Sequence, residues 1–391
     1  MKLKLIALIL TAGVCAQAQV ANVSCGDFFT MALKTDGTVK GTGRNDRHQL
    51  GNGNNANQPL FTSTFSAAGV PLANMNAVSG GSAFSLGLSN GVALSWGYNA
   101  NGRLGDGTST ERTYPVRVSG ITNAIAIDAG ANFGLALLSD HTVKSWGGNA
   151  QYQLADGTTT DRNTPVQVQA DSDYYFPGNI LPGVVAVSAG YNHCLALRDV
   201  GDVFFWGNNT VWSHDRARVP TSNSLPFMFA IAAGSDHDLS ISSNGIVSSG
   251  ILAGRTYGDV YAWGRNLFGQ VGNNSNVDQM FPGVLVLSNI VAVAGGSSHS
   301  LALDTNGVVW AWGLNTYGQL ARGEGPTAKT TSYVPVQTVL TNVVQISAGD
   351  SITMAVLADG SVAAAGRLAY GALGLGVFDY VAEPLLCTPT P

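Results

Sequence analysis

The sequence predicts an all-β fold, a single seven-bladed β-propeller whose repeats of about 50 residues each supply four short antiparallel strands. Three observations predict it. A short apolar run ending in glycine recurs seven times along the 391 residues, and each copy continues into alternating apolar residues and a hairpin signal. Glycine contributes 49 residues while only 11% of residues are charged, which is typical of many short strands and tight turns. The repeated glycines are Gly26, Gly81, Gly130, Gly190, Gly234, Gly296 and Gly349.

The first half of each repeat predicts a β-hairpin. In the sixth copy, the alternation around Leu301 and Leu303 is typical of a strand, and Asn306-Gly307 is a two-residue turn signal. The β-prone residues up to Trp312 then form the returning strand. Equivalent turn pairs are Asp36-Gly37, Asn90-Gly91, Asp140-His141, Val200-Gly201, Asn244-Gly245 and Asp359-Gly360.

The second half of each repeat predicts a loop and an outer strand. The pattern Trp-Gly-x-Asn leads into a glycine-rich loop, which reads NANGRLGDG over residues 99–107 and NTYGQLARG over residues 315–323. A short apolar segment such as residues 115–118 closes the unit. Arranging seven such sheets around an axis shields the sheet edges that would otherwise aggregate.

The repeat string AGxxHxLALxxDGxVxxWGxNxxGQLGxG resembles that of the regulator of chromosome condensation family, over nearly all of residues 20–387. Four copies depart from it. The first and last have Thr42-Gly43 and Ala365-Gly366 in place of Trp-Gly, and the fourth lacks the Gln-Leu-Gly loop. The fifth copy carries an insertion before Trp263. The resemblance implies a seven-bladed propeller. It also implies one of four roles: nucleotide exchange on a nuclear GTPase, chromatin association, protein-interaction scaffolding or, in secreted relatives, inhibition of β-lactamases.

The first eighteen residues predict a signal peptide. Lys2 and Lys4 precede an apolar run over residues 5–14, and Ala16-Gln17-Ala18 has the small-x-small form of a cleavage site. We therefore expect cleavage near Ala18, a propeller over residues 19–391, and a secreted or extracytoplasmic location in the periplasm or at the cell surface. A lipid anchor on Cys15 is the alternative, disfavoured because Val14 stands where that processing requires a small residue. No later segment has the roughly 20 apolar residues of a membrane helix, so no membrane insertion is expected.

The net charge of the chain disfavours two of the four roles that the resemblance implies. Without Lys2 and Lys4, the chain's 19 basic and 24 acidic residues leave a net charge of −7, and no basic run exists. Nucleic-acid binding requires clustered Lys and Arg, so no nucleic-acid partner is expected. Together with the predicted export, this disfavours the exchange-factor and chromatin roles.

Catalytic and cofactor motifs are missing from the sequence, which predicts a protein that is not an enzyme and holds no cofactor or metal. His193, His237 and His299 occupy one position in consecutive repeats, a set that could coordinate zinc. We favour a packing role, with bonds to neighbouring backbone, because the other copies have Phe29, Phe84, Phe133 and Ile352 there. The recurring tryptophans are likewise interpreted as inter-blade packing. The loop residues Asp106 and Asp156 are interpreted as turn-forming rather than calcium-binding.

Three cysteines remain after the predicted cleavage: Cys25, Cys194 and Cys387. Because the last blade closes on the first, a Cys25–Cys387 disulfide is one hypothesis. The favoured alternative is three unpaired thiols.

Partner binding is predicted where loops depart from the repeat, since binding surfaces on repeat scaffolds are usually made there. The candidates are Asp171, Asp173, Tyr174, Tyr175, Phe176, Trp212, Arg255 and Tyr257. The alternative for residues 174–176 is that they fold back onto the propeller rim.

The favoured function is a monomeric, non-catalytic extracytoplasmic interaction module that binds an unidentified protein or surface ligand, such as a glycan, through one face. The alternative is a secreted inhibitor of an exported enzyme. An enzyme with its active site in the central channel is disfavoured, because the equivalent positions hold Ser, Ala and Phe rather than convergent carboxylates or histidines.

Overall fold

The computed structural model describes residues 20–172, 176–211, 213–218, 226–284, 287–323, 330–376 and 381–387. Within these residues, seven four-stranded antiparallel sheets follow one another along the chain. This confirms the predicted all-β, seven-bladed propeller with four strands per blade. In the same residues, no helix is long and apolar enough to cross a bilayer.

Each blade takes its four strands from one stretch of chain. Blades 1 to 3 consist of β1 (Val20–Cys25), β2 (Phe29–Lys34), β3 (Val39–Gly43) and β4 (Gln58–Ser63); β7 (Ala77–Gly80), β8 (Phe84–Ser89), β9 (Val92–Gly97) and β10 (Arg112–Arg117); and β11 (Ala124–Ala129), β12 (Phe133–Leu138), β13 (Val143–Gly147) and β14 (Arg162–Gln167). Blades 4 and 5 consist of β15 (Val184–Ala189), β16 (His193–Arg198), β17 (Val203–Asn208) and β18 (Ser213–Arg218); and β19 (Met228–Ala233), β20 (His237–Ser242), β23 (Val260–Gly264) and β24 (Gln279–Val284). Blades 6 and 7 consist of β25 (Ile290–Gly295), β26 (His299–Asp304), β27 (Val309–Gly313) and β28 (Ser332–Gln337); and β29 (Val343–Ala348), β30 (Ile352–Leu357), β31 (Val362–Gly366) and β32 (Val381–Cys387).

Short accessory elements lie between these strands. Two-stranded hairpins are formed by β5 (Phe65–Ala67) with β6 (Val70–Pro71), and by β21 (Gly245–Ile246) with β22 (Thr256–Tyr257). Described 3₁₀ turns are Ala100–Gly102, Pro177–Asn179 and Ala369–Gly371.

The first strand of each blade lies at the axis, and a ring of hydrogen bonds joins these strands. At five of the seven junctions, the side chain of the residue two positions before the repeated glycine accepts a hydrogen bond from a backbone N–H of the next blade, whereas blades 5 and 6 have Ala232 and Ala294 at that position. Between blades 1 and 2, Gly80 N donates to Ser24 Oγ at 3.1 Å. The bond that closes the ring has the same form, because Cys25 N donates to Ser347 Oγ at 3.2 Å. Blade 7 thus joins blade 1 without exchanging a strand.

Tryptophans fasten neighbouring blades, as predicted. The buried indole of Trp312 donates from Nε1 to the carbonyl of Gln270 in the preceding blade at 2.8 Å. Trp96, Trp146 and Trp206 make the equivalent bond to the glycine-rich loop before them, at 2.8–3.0 Å. In blade 1, Thr42 replaces the tryptophan, and its hydroxyl donates to the carbonyl of Gly371 at 2.9 Å.

The glycine-rich loops are held by their own side chains, which supports the turn interpretation of the acidic residues. Asn99 Oδ1 accepts from Leu104 N at 2.9 Å. Asp106 accepts from Thr108 and from Arg112 Nε, the latter at 2.8 Å. Burial alone would raise the pKa of Asp106, but these hydrogen bonds outweigh it and the pKa lies below its ordinary value. The carboxylate is therefore already committed within its loop.

The disulfide hypothesis is wrong. Cys25 is a free thiol at the end of β1, the innermost strand of blade 1. Cys387 ends β32, the outermost strand of blade 7. Ring closure brings these two blades together, but it leaves the residues at opposite edges of their sheets. Cys194 is also a free, buried thiol.

Candidate functional site

Connections between strands emerge on two opposite faces, because strand direction alternates within each blade. One face carries the links between first and second strands and between third and fourth strands, including the glycine-rich loops, and we call it the loop face. The other carries the turns between second and third strands and the links between blades, and we call it the hairpin face.

Arginine and aromatic side chains stack across blades 6, 7 and 1 on the loop face. The guanidinium carbon of Arg367 lies 4.9 Å from the ring centre of Tyr317 and 5.0 Å from that of Phe28. Phe28 meets Tyr370 edge-on with centroids 5.8 Å apart. Arg44 lies 5.7 Å from the Tyr370 ring centre. Cation–π contacts thus link three blades on one surface.

A second stack continues onto blade 2. The guanidinium carbons of Arg47 and Arg103 lie 4.6 and 4.8 Å from the ring centre of Tyr98. Arg103 is buried, and its Nε donates to the carbonyl of Ala100 at 3.0 Å. We refer to both groups together as the Arg–aromatic stack, which comprises Phe28, Arg44, Arg47, Tyr98, Arg103, Tyr317, Arg367 and Tyr370.

Carboxylates hold several of these arginines in place. Arg44 Nε donates to Asp46 Oδ1 at 2.7 Å, and this bond raises the pKa of Arg44. Arg47 Nη1 lies 3.6 Å from Glu111 Oε2, and Arg367 Nη1 lies 4.0 Å from Asp350 Oδ2. Ordered guanidinium and aromatic groups lose little side-chain entropy on binding, and both types are enriched in protein interfaces.

Amide side chains occupy the loop face on blades 3 and 4. Gln153 Nε2 donates to Asn192 Oδ1 at 3.2 Å. Asn208 Nδ2 donates to Gln151 Oε1 at 2.7 Å. On blades 3 and 4, these amide contacts lie where blades 6, 7, 1 and 2 carry arginine–aromatic contacts.

An axial cavity of about 80 Å³ opens at the centre of the ring. Each blade lines it with the repeated glycine and its two neighbours, including Asp27, Asp350 and Cys25. Burial raises the pKa of Asp27, and the nearby charge of Asp350 adds to the effect. Burial also raises the pKa of Cys25 to about 11, so its thiol stays protonated at neutral pH. No histidine lines the described cavity to activate a nucleophile.

The three repeated histidines lie between blades and each bonds to a side chain of the next blade. His237 Nε2 lies 2.8 Å from Ser300 Oγ, and His299 Nε2 lies 3.2 Å from Thr353 Oγ1. His193 Nε2 lies 2.7 Å from Asp238 Oδ1. These partners are side chains rather than the backbone groups that the sequence had suggested. Within the described residues, no cluster of His, Cys, Asp and Glu is arranged to hold a metal ion.

The predicted partner-binding loop after blade 3 is described only in part. Asp171 is half-buried, whereas Asp173, Tyr174 and Tyr175 lie outside the described residues. Phe176 is half-buried against the propeller rim, with its ring centroid 6.1 Å from that of Phe204. For Phe176, the structure thus shows the fold-back arrangement.

The other predicted residues lie elsewhere. Trp212 is outside the described residues. Arg255 and Tyr257 belong to the insertion in blade 5, which forms the β21–β22 hairpin on the hairpin face. Their role in binding stays a prediction.

Sequence reasoning missed the Arg–aromatic stack. The sequence does contain a signal for this stack, at the position marked x in the Trp-Gly-x-Asn pattern. Blades 1, 2 and 7 have Arg44, Tyr98 and Arg367 at that position. The glycine-rich loops then add residues such as Tyr317 and Tyr370. A comparison of the repeats at these positions would have shown large planar side chains gathered in neighbouring blades.

Two sequence models of the regulator of chromosome condensation (RCC1) repeat match this chain. One matches residues 20–49, 124–153, 184–211 and 290–319, and the other matches residues 90–137, 140–197, 257–303 and 306–356. The chain is 28% identical to the human E3 ubiquitin-protein ligase HERC2 over 213 residues, which is 51% of this chain and 4% of that protein. It is 30% identical to the ultraviolet-B receptor UVR8 of Arabidopsis thaliana over 289 residues, which is 73% of this chain and 62% of the receptor.

Solved structures show the same architecture. Prp20p from Saccharomyces cerevisiae superposes with a TM-score of 0.70 at 20% identity, covering 89% of this chain and 85% of that one. Human WBSCR16 superposes with a TM-score of 0.68 at 20% identity, covering 86% and 87%. With matching repeat models over more than half of its length and the seven-bladed ring they predict, the chain belongs to the regulator of chromosome condensation repeat family.

Proposed function

We propose that this protein is a non-catalytic interaction module that acts outside the cytoplasm and binds a partner protein through its loop face. The observation that carries the proposal is the Arg–aromatic stack across blades 6, 7, 1 and 2. Residues of these types dominate the binding energy of protein interfaces, particularly where they are already ordered. The stack is ordered by cation–π contacts and ion pairs before any partner arrives.

Relatives with the same fold support a protein partner. Prp20p has been characterised for its binding to Gsp1p and histones, and Kap60 has been crystallised bound to it. Those partners are not carried over, because the identities are 20% and 18%. The ligase name of HERC2 describes a protein of which this chain matches 4%.

Export is the second part of the proposal. It rests on Lys2, Lys4, the apolar run and the Ala16-Gln17-Ala18 site, together with the net charge of −7 that cleavage leaves. An extracytoplasmic partner is a surface protein or an exported enzyme, and in the second case binding would inhibit that enzyme. We favour general partner binding because the Arg–aromatic stack extends over blades 6, 7, 1 and 2.

The test is chemical cross-linking of the tagged protein in the cell envelope of its own host, followed by mass spectrometry. We compare the wild type with an Arg47→Ala/Tyr98→Ala variant of the loop face. A matched control carries Arg117→Ala and Tyr333→Ala, which remove the same residue types from outer strands of blades 2 and 6.

We expect the wild type and the control to cross-link the same partner and the loop-face variant to lose most of it. Equal recovery by all three proteins would reject the loop face as the binding surface. Recovery of an exported hydrolase, followed by an inhibition assay on it, would select the inhibitor role. An uncleaved N-terminus in the recovered protein would reject the export proposal.

A further inference from the structure

Four residues with amide side chains form a closed cycle of hydrogen bonds on the loop face, across the junction of blades 3 and 4. Gln151 N donates to Gln153 Oε1 at 2.8 Å, and Gln153 Nε2 donates to Asn192 Oδ1 at 3.2 Å. Asn208 N donates to the carbonyl of Asn192 at 2.9 Å, and Asn208 Nδ2 donates to Gln151 Oε1 at 2.7 Å. We call Gln151, Gln153, Asn192 and Asn208 the amide cycle. Each member is held in place by two others.

Backbone groups determine which way each amide of the cycle points. Gln153 Oε1 accepts from a backbone N–H, so Gln153 donates through Nε2 and Asn192 meets it with Oδ1. Thr210 N donates to Asn208 Oδ1 at 2.8 Å, so Asn208 donates through Nδ2 and Gln151 meets it with Oε1. The NH₂ groups of Gln151 and Asn192 therefore have no hydrogen-bond partner in the part of the chain that the structure describes. Both side chains are half-buried, so these groups are open to a ligand.

The glycine-rich loop does not require the amide cycle in order to fold. In blade 6, Gln319 is equivalent to Gln153 and is oriented in the same way, because Tyr317 N donates to its Oε1 at 2.9 Å. Ser351 stands at the position of Asn192, and Gln319 Nε2 is buried without a hydrogen-bond partner among the described residues. The free amide groups are thus a feature of blades 3 and 4 and not a requirement of the repeat.

The free groups of the amide cycle can only donate hydrogen bonds. Each NH₂ group offers two N–H donors, while the side-chain oxygens of Gln151 and Asn192 already accept within the cycle. A sugar hydroxyl donates as well as accepts, so it matches this surface less well than a carbonyl oxygen, which only accepts. No member of the cycle is charged and the net charge of the chain is −5, which favours a neutral acceptor over an anion. The main-chain carbonyls of a peptide have this chemistry.

We infer that the amide cycle binds main-chain carbonyl oxygens of a segment of the partner protein, through Gln151 Nε2 and Asn192 Nδ2. The inference rests on the proposed function and extends it from the Arg–aromatic stack to blades 3 and 4 of the same face. Because the cycle holds both amides before binding, little side-chain entropy is lost when the segment docks. Recognition of this kind depends on the course of the partner's main chain rather than on its side chains.

The probe is a phage-displayed library of random twelve-residue peptides, selected on the immobilised full-length protein and depleted on its Asn192→Asp variant. Asp keeps an oxygen that accepts from Gln153 Nε2 and replaces the free NH₂ group with a second oxygen. The selection therefore retains peptides that need the free amide. Enriched peptides are synthesised, and their affinities are measured by fluorescence polarisation.

Three variants are compared with the wild type. Asn192→Asp reverses one donor, and Gln151→Met removes the other without adding charge. Asn306→Asp is the matched control on the hairpin face, where blade 1 has Asp36 and blade 7 has Asp359 at the same position. Urea unfolding establishes that each variant is folded.

We expect the affinity of the enriched peptides to fall by about fivefold for Gln151→Met, the effect of one neutral hydrogen bond. It should fall by at least about tenfold for Asn192→Asp, because a carboxylate oxygen there repels a carbonyl oxygen. Asn306→Asp should bind as the wild type does. Replacing single peptide carbonyls by thiocarbonyls, which are weaker acceptors, should weaken binding at one or two positions. The inference is overturned if no peptide survives the depletion, if Gln151→Met binds equally well, or if no thiocarbonyl replacement matters.

A carbohydrate is the competing ligand. A glycan array is probed with the labelled wild type and with the Asn192→Asp variant. A glycan that binds the wild type and not the variant would assign the amide cycle to a carbohydrate and overturn the peptide inference. Cross-linking through Arg47 and Tyr98 is measured separately, so failure of the amide cycle and failure of the proposed function are distinguishable.

Discussion

Replacing His237 by phenylalanine should remove part of the acid sensitivity of the folded protein. The side chain is fully buried, and its Nδ1 has no hydrogen-bond partner among the described residues. Burial lowers the pKa of His237 to about 3, and the neighbouring His299 and His193 lower it further in the same direction. In the unfolded chain, the pKa returns to about 6.5.

The direction of the pH dependence follows from the number of protons that the folded and unfolded states bind. Between pH 6.5 and about 3, the unfolded chain binds a proton at this residue and the folded protein does not, so acid favours unfolding. The stability contribution of the neutral histidine is complete above pH 6.5 and is lost progressively as the pH falls. At pH 5, the difference amounts to about 2 kcal/mol, because one unit of pKa difference corresponds to roughly 1.4 kcal/mol.

The substitution His237→Phe places in blade 5 the residue type that blade 1 already has at the same position. Phe29 occupies the equivalent position in blade 1, where Ser85 of the next blade donates to the carbonyl of Gln49 at 2.7 Å. Beside His237, Ser300 donates to the carbonyl of Gln270 at the same distance. The variant should therefore fold, with Ser300 still satisfied.

Urea unfolding followed by tryptophan fluorescence measures the effect at pH 7.5, 6 and 5. We expect the free energy of unfolding of the wild type to fall by about 2 kcal/mol more than that of His237→Phe between pH 7.5 and pH 5. Adding His299→Phe should roughly double the difference, since burial lowers the pKa of His299 to about 4. Parallel curves for the wild type and both variants would refute the reasoning, because they would mean that these histidines titrate alike in both states.

Other predictions concern the contacts between blades and the predicted signal peptide. Trp312→Phe removes the bond to the Gln270 carbonyl and some buried volume, and should lower the free energy of unfolding in urea by about 2 kcal/mol. Ser347→Ala removes the hydrogen bond that closes the ring, and Ser24→Ala removes the equivalent bond between blades 1 and 2. Each variant should lower the free energy of unfolding by about 1 kcal/mol in the same assay. A much larger loss for Ser347→Ala would show that the closing junction is weaker than the others. Amino-terminal sequencing of the exported protein should begin directly after Ala18, and an intact Met1 would contradict the leader prediction.

The fold was predictable because its signals repeat. A single Asn-Gly pair or one alternating run indicates only a hairpin, but seven copies of the same order indicate a ring. The packing role of the tryptophans followed from the same logic, since Trp96 and Trp312 occupy equivalent positions in blades 2 and 6.

The Arg–aromatic stack, the proposed binding surface, was less predictable because its contacts join residues that are distant in sequence. Phe28 and Arg367 touch only because blade 7 closes on blade 1. The partner of His237 is Ser300, which lies one repeat further along the chain. The disulfide hypothesis failed for a related reason: it used the order of the blades but not the position of Cys25 and Cys387 within their sheets.

The Arg–aromatic stack spans two blade junctions that lack a tryptophan. Blades 7 and 1 have Ala365 and Thr42 at the tryptophan position, so both junctions of blade 7 lack the indole bond that fastens other blades. Arg367 lies between Tyr317 of blade 6 and Phe28 of blade 1, and thus spans both of these junctions. A partner that binds this part of the loop face would bridge blade 7 to both of its neighbours. Partner binding should consequently slow hydrogen exchange in β31 more than in β9, where Trp96 already secures the junction. Equal protection of the two strands would mean that the stack contributes to binding without contributing to ring closure.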